Sequence, residues 1–168
     1  MFNHGEMHKA YLGKHANELV QVSSEQVAQI YRERGMVIPV EVSSTLQYLG
    51  DNPKSSTADA ARDLAVPHQL AAQRIRKLIT LKCVNRRADP GDARRTQLIL
   101  TTKGQRQYAL LVRAMQDTAQ VYQGLYEEIG CDLPAMLRKA IDALRARPLS
   151  ERFVETFGDV AGGQRAQS

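Results

Sequence analysis

The stretch from His68 to Gly104 constrains the chain more than any other, because its two halves carry different periods. HQLAAQRIRKLITLKCVNRR has helical period: Ala71, Ile75 and Leu78 fall on one face, with Ile79 beside them. Gln69, Ala72, Gln73, Arg76 and Thr80 fall on the opposite face. ADPGDARRTQLILTTKG then reads as a two-stranded hairpin. Its loop, Asp89-Pro90-Gly91-Asp92, is made of turn formers and is flanked by Arg86, Arg87, Arg94 and Arg95. A helix with a polar outer face, followed by a basic hairpin, has the physical make-up of a DNA reader.

The distribution of charge supports that reading better than its total does. The whole chain carries +5, but residues 62–106 hold 11 Lys and Arg against 3 Asp and Glu, while the other residues hold 12 against 15. A charge kept only for solubility has no reason to segregate in this way, whereas a polyanion-binding face requires it. Aromatic residues make up 5% and Trp is absent, which argues against a base-stacking platform for single strands. The two cysteines, Cys83 and Cys131, support neither a disulfide framework nor a CxxC metal pair. No apolar run approaches transmembrane length and MFNHGEMHKAY has no signal-peptide core, so the expected location is cytoplasmic and no membrane partner is expected.

Taken in order, the chain predicts mainly helix. Leu12, Ala16, Leu19, Ser23, Val27 and Ile30 recur every three or four residues, which fits a helix over 11–34 with Gly35 as its stop. A second helix is predicted over 39–50, ended by Asp51-Asn52-Pro53. A short third begins at Ser56, with Asp59 at the capping-box position, and ends at Val66-Pro67. The fourth runs from His68 or Gln69 to Cys83, and a three- or four-residue turn separates it from the third. That spacing defines a helix-turn-helix whose second helix enters the major groove. Beyond a strand at Gln97–Thr101, the residues Tyr108, Leu111, Met115, Thr118, Tyr122, Leu125 and Ile129 form a heptad seam. Leu133, Leu137, Ala140 and Leu144 continue it in a further helix, and Phe153, Val154 and Phe157 suggest one more short apolar element.

At this point the sequence resembles the MarR family of bacterial transcription regulators. The resemblance rests on LQYLGDNP (46–53), STADAARDLAVP (56–67), the fourth helix ending in CVNRR, and above all DPGDARRTQLILTTKG (89–104). The last is similar to the family's wing signature, with Asp92-Ala93-Arg94 and Leu100-Thr101-Thr102-Lys103-Gly104 as its parts. The chain departs from the pattern where the family has Gly after the recognition helix. Lys82 stands there, and Cys83 replaces the Leu that follows. The resemblance implies a mainly α fold, a winged helix-turn-helix with additional N- and C-terminal dimerisation helices. It implies one domain over 1–168: dimerisation helices at 10–36 and 104–157, a DNA-binding lobe at 37–103, and a disordered tail at 158–168. It further implies a homodimer on a pseudo-palindromic double-stranded operator, acting as a repressor and relieved by a small aromatic acid or an oxidant. No effector-binding residue is assigned.

The expected DNA contacts are Gln69, Ala72, Gln73, Arg74, Arg76, Lys77, Arg87, Arg94 and Arg95. Gln pairs bidentately with adenine and Arg with guanine, so Gln69, Gln73 and Arg76 are the base readers. Arg74 and Lys77 flank them and are expected on phosphate, which positions without specifying. Arg94 is expected at the wing tip, in a minor groove or along phosphate. Asp92 is read as structural, orienting Arg94 or shaping the turn. The bland alternative for all of these is a solvated helix face and hairpin. Two functional rivals stand beside the main reading: a winged-helix protein-interaction module that does not read DNA, and a redox sensor acting through Cys131, with Arg138 and Lys139 near it in sequence. His4 and His8 have helical spacing but no cysteine or firm carboxylate beside them, so no metal or other cofactor is expected. No nucleophile–base pattern or phosphate-binding Gly-rich loop supports an enzyme.

Overall fold

A computed structural model describes residues 10–91 and 96–158. The expected loose start at 1–9, with His4 and His8, lies outside the described residues. So do the wing-tip residues Asp92, Ala93, Arg94 and Arg95 and the expected tail beyond Gly158. The elements are α1 (Leu12–Glu33), a 3₁₀ turn (Val40–Val42), α2 (Ser43–Asp51), α3 (Thr57–Asp63), α4 (His68–Thr80), β1 (Val84–Ala88), β2 (Thr96–Leu100), α5 (Thr102–Glu128), α6 (Leu133–Ala146) and α7 (Leu149–Phe157). Two compact units divide after Thr118, within α5.

In the first unit the core is apolar and closed. Val42, Leu46, Leu49, Ile75, Leu78, Val84, Leu98 and Leu111 are buried within it, together with Cys83. Each of the larger side chains contributes about 2 kcal/mol by leaving water. Polar ties hold the elements around this core. The Tyr31 and Ser43 hydroxyls share a 2.8 Å hydrogen bond. The Val37 N–H donates to the buried Gln107 side chain at 2.8 Å, fixing the α1–α2 connection to α5. The Tyr108 hydroxyl donates to Asp51, and Arg34 pairs with Asp117.

Helix ends explain where the sequence-based boundaries move. At the end of α1, Gly35 has φ 70°, its N–H donates to the Arg32 carbonyl, and the Met36 N–H donates to the Tyr31 carbonyl. This is a Schellman closure. The same closure ends α3 at Ala65 (φ 51°) and α4 at Lys82 (φ 57°), without glycine in either case. The helix α4 therefore stops at Thr80 rather than continuing to Cys83. Lys82 occupies the left-handed position where the resembled family has glycine, and that conformation costs about 1–2 kcal/mol for a residue with a Cβ. The predicted second helix is likewise divided. Pro39 is extended (ψ 156°), and the 3₁₀ turn precedes α2.

The two strands pair antiparallel from Val84↔Leu100 to Ala88↔Thr96. The Leu98 N–H donates to the Ser55 carbonyl at 2.8 Å, which fastens the hairpin to the segment entering α3.

The second unit is built differently. Asp132 caps α6 by accepting from the Ala135 N–H at 3.0 Å. Arg152 of α7 donates to the carbonyls of Arg147 and Ala143, and Arg147 pairs with Glu155 at 2.9 Å, which sets the α6–α7 corner. No described residue from 119 to 158 is buried. The heptad seam thus divides in two. Leu111 is sealed in the core, whereas Met115, Leu125 and Ile129 are exposed, as are Leu137, Ile141, Leu144, Phe153 and Phe157. No described helix is long and apolar enough to cross a membrane.

Candidate nucleic-acid interface

The interface begins with a well-formed helix start. The Ser56 hydroxyl accepts from the Asp59 N–H at 3.2 Å, and the Asp59 carboxylate accepts from the Ser56 N–H at 2.9 Å. This reciprocal capping box fixes the first turn of α3. Small residues then let α3 and α4 approach closely, with Ala60, Ala61 and Ala71 all buried. Along α4 the core face is sealed: Ala71, Ile75 and Leu78 are each 0% exposed. The helix cannot rotate without exposing that face, so the opposite face is fixed in its outward direction. Gln69, Gln73 and Arg76 are exposed on it, with Ala72 half-buried.

Arg74 and Lys77 lie to one side, beside the 3₁₀ turn. Arg74 is half-buried and its Nε has no hydrogen-bond partner, while Lys77 is exposed. Arg86 and Arg87 stand exposed on β1, opposite Leu98 and Gln97. The wing turn is shaped by Asp89, whose carboxylate accepts from the Gly91 N–H at 2.9 Å. Asp92, Arg94 and Arg95 lie outside the described residues, so the structure does not place them.

The electrostatics separate two kinds of cation. Arg62 of α3 is committed internally, to Asp63 at 2.8 Å and Asp59 at 3.3 Å. The Asp63 carboxyl is held below the usual carboxylate range by Arg62 and by the Tyr48 hydroxyl, which donates to it at 2.7 Å. By contrast, Arg74, Arg76, Lys77, Arg86 and Arg87 have no ion-pair partner among the described residues. Unpaired cations gathered around one exposed helix face create a positive potential that a polyanion can neutralise.

Two concavities adjoin α4. One, of about 420 Å³, lies between α4 and the 3₁₀ turn and is lined by Glu41, Gln73, Arg74, Arg76 and Lys77 among others. The other, of about 370 Å³, is lined by Tyr31, Arg32, Met36, Ile38, Lys77 and Leu81 among others. Sequence reasoning missed Glu41 and Arg32. Each is distant in sequence from α4, and no local pattern announces a contact made through the tertiary fold.

Cys83 is fully buried just past the end of α4, and burial pushes its thiol pKa up, with Lys103 partly offsetting the shift. Cys131 is half-exposed in the α6 approach. Alkylation of the native protein by iodoacetamide is therefore expected to label Cys131 roughly tenfold or more faster than Cys83. Peptide mass spectrometry reads the two sites separately, and equal native rates would contradict the sealed environment of Cys83.

The fold and this face together define a winged helix-turn-helix carrying long flanking helices. More narrowly, the fold is that of the MarR transcription regulators. The chain is similar to a MarR transcriptional regulator from Methanosarcina mazei Go1, with TM-score 0.58 and 17% identity over 80% of this chain and 99% of that one. It is similar to a second MarR family transcription regulator, with TM-score 0.64 and 16% identity over 88% and 97%. MepR of S. aureus, solved in complex with DNA, gives TM-score 0.62 and 21% identity over 86% and 99%. No protein-family model matches the sequence, and no curated protein matches it.

Proposed function

We propose that this chain is a sequence-specific regulator of transcription that binds double-stranded DNA as a homodimer and represses until a small molecule releases it. The observation that carries the reading is the fixed orientation of α4. Its apolar face is fully sealed, and Gln69, Gln73 and Arg76 project from the opposite side amid unpaired cations. In this reading those three side chains meet base edges in the major groove, and Ala72 sits against them. Arg74, Lys77 and Arg87 meet phosphate. Arg94 and Arg95 anchor the wing, and Asp92 shapes it. The resemblance in fold to MepR, which was solved on DNA, supports the same orientation of the head.

The dimer reading covers 10–36 and 104–157 as partner-facing helices around a DNA-binding lobe at 37–103. Its support is the row of exposed apolar residues in α5, α6 and α7. Two chains joined there would set two recognition helices about 34 Å apart, one helical turn of DNA. The effector reading is supported by the cavity of about 370 Å³, where Tyr31, Met36, Ile38 and Leu81 offer an apolar wall and Arg32 and Lys77 offer cations. A small aromatic acid has matching chemistry, and it would act by favouring a spacing of the heads that mismatches the operator.

The test is a mobility-shift titration against the gene's own upstream region. Wild-type affinity is expected to fall steeply with salt. Arg76→Ala is expected to cost about 1–3 kcal/mol and to relax preference at one base pair. Absent or salt-insensitive binding by the wild type would favour the protein-interaction module instead.

A further inference from the structure

The concavity of about 420 Å³ between α4 and the 3₁₀ turn has walls of opposite charge. Arg74, Arg76 and Lys77 stand on the α4 wall, and Glu41 faces them as the sole acid among the described residues that line it. Glu41 is the middle residue of the turn Val40–Val42. Val42 beside it is 1% exposed, so the turn is pinned to the core while Glu41 itself stays exposed. Local structure gives no reason for an acid at this place. The turn has no side-chain cap, and Glu41 makes no hydrogen bond or ion pair among the described residues. Across the concavity Arg74 is half-buried, and its Nε is closed off without an acceptor. A guanidinium carries five donors in a fork that suits an oxyanion. The concavity thus holds a cation short of acceptors and a carboxylate short of donors, with no ion pair between them. A DNA phosphate that approaches Arg74 there also approaches Glu41, and like charges at such range repel.

We propose that Glu41 is an electrostatic brake on DNA binding. Its carboxylate offsets the charge of Arg74 and repels the phosphate that Arg74 attracts. The head therefore holds every duplex more loosely than its cations alone would. The inference rests on the DNA reading above and adds a residue outside α4 that acts against the contact. The group opposed is phosphate, which is the same on every sequence. The brake thus sets the strength of binding and leaves base preference to Gln69, Gln73 and Arg76.

The experiment uses the full chain with two duplexes of equal length, the gene's own upstream region and a scrambled sequence. Glu41→Gln keeps the shape of the side chain and removes its charge. It is expected to bind both duplexes about three- to tenfold more tightly than the wild type. The slope of log affinity against log salt is expected to steepen by up to about 0.9, the equivalent of one phosphate contact. The ratio of the two affinities is expected to stay within about twofold of the wild-type ratio. Glu41→Asp, which keeps the charge, is expected to stay closer to the wild type. In an Arg74→Gln background the gain from Glu41→Gln is expected to fall by about half or more, because the cation it releases is gone. A variant Glu41→Gln that binds no more tightly than the wild type overturns the brake. A changed ratio between the duplexes also overturns it, since the carboxylate then reads a base, with the cytosine amine as its natural donor. A gain that persists in full without Arg74 reports net charge alone and overturns it as well. In each of these cases DNA binding stands. If the wild type shows no salt-dependent binding at all, the DNA reading fails, and this inference fails with it.

Discussion

Gly104→Ala is expected to lower the melting temperature by about 10 °C. Gly104 lies in the first turn of α5, directly against the backbone that follows α4. A Cβ there would stand 1.9 Å from the Cys83 carbonyl oxygen and 2.9 Å from its carbon. Those are backbone atoms, so no side chain can swing aside. They also belong to a tight junction. The Thr101 N–H donates to the same Cys83 carbonyl at 3.0 Å, the Thr101 hydroxyl donates to the Lys82 carbonyl at 2.7 Å, and that hydroxyl accepts from the Gly104 N–H at 3.0 Å. Forcing α5 outward breaks these bonds and opens the core beneath Cys83. Overpacking against a rigid backbone wall together with the lost hydrogen bonds of the junction costs about 3–5 kcal/mol. A chain of this length loses about 2–4 °C for each kcal/mol. Circular dichroism melting reads the change directly, and a shift under about 2 °C would mean that the junction yields more easily than its geometry indicates.

Replacing Leu137 and Ile141 together by Asp is expected to separate the proposed dimer and to reduce operator affinity by about a hundredfold or more. Both residues are exposed on α6, which has no buried residue of its own. Charges placed there cost the single chain little but would be desolvated at an interface between copies. The loss in DNA binding follows from linkage: with two joined heads the second contact is intramolecular, and separating them removes an enhancement of about 10²–10⁴. Sedimentation reads the assembly and a shift assay reads the affinity. A double variant that remains dimeric would place the interface on another face.

How much of this was legible in the sequence depended on how local the cause was. The capping box at Ser56 and Asp59 could be read because both partners lie within one turn, and the structure forms it as expected. The two faces of α4 could be read because helical spacing alone decides which residues share a side. The end of α4 was placed too late because Lys82 gives no sign of a left-handed conformation. Only the closure it makes with the Ile79 and Leu78 carbonyls forces that geometry. The division of the seam after Leu111 was equally hidden: Met115 and Leu125 have the same apolar character as Leu111, and only the extent of the surrounding core separates them. The placement of Arg32 and Glu41 near α4 depends on contacts across the fold, which periodicity does not encode. Arg94 and Arg95 were read from the sequence alone and lie outside the described residues.

The helices after Thr118 bury none of their described residues. If two chains supply one another's interior there, the folding of that region depends on how many chains are present. Each halving of copy number then acts as a mild denaturant, since association stabilises only by mass action. A scarce regulator of this design would be a less folded one, open to proteolysis from its C-terminal side, and an abundant one would protect itself. Cellular dose would thereby enter the response through the physics of the helices, without any further ligand.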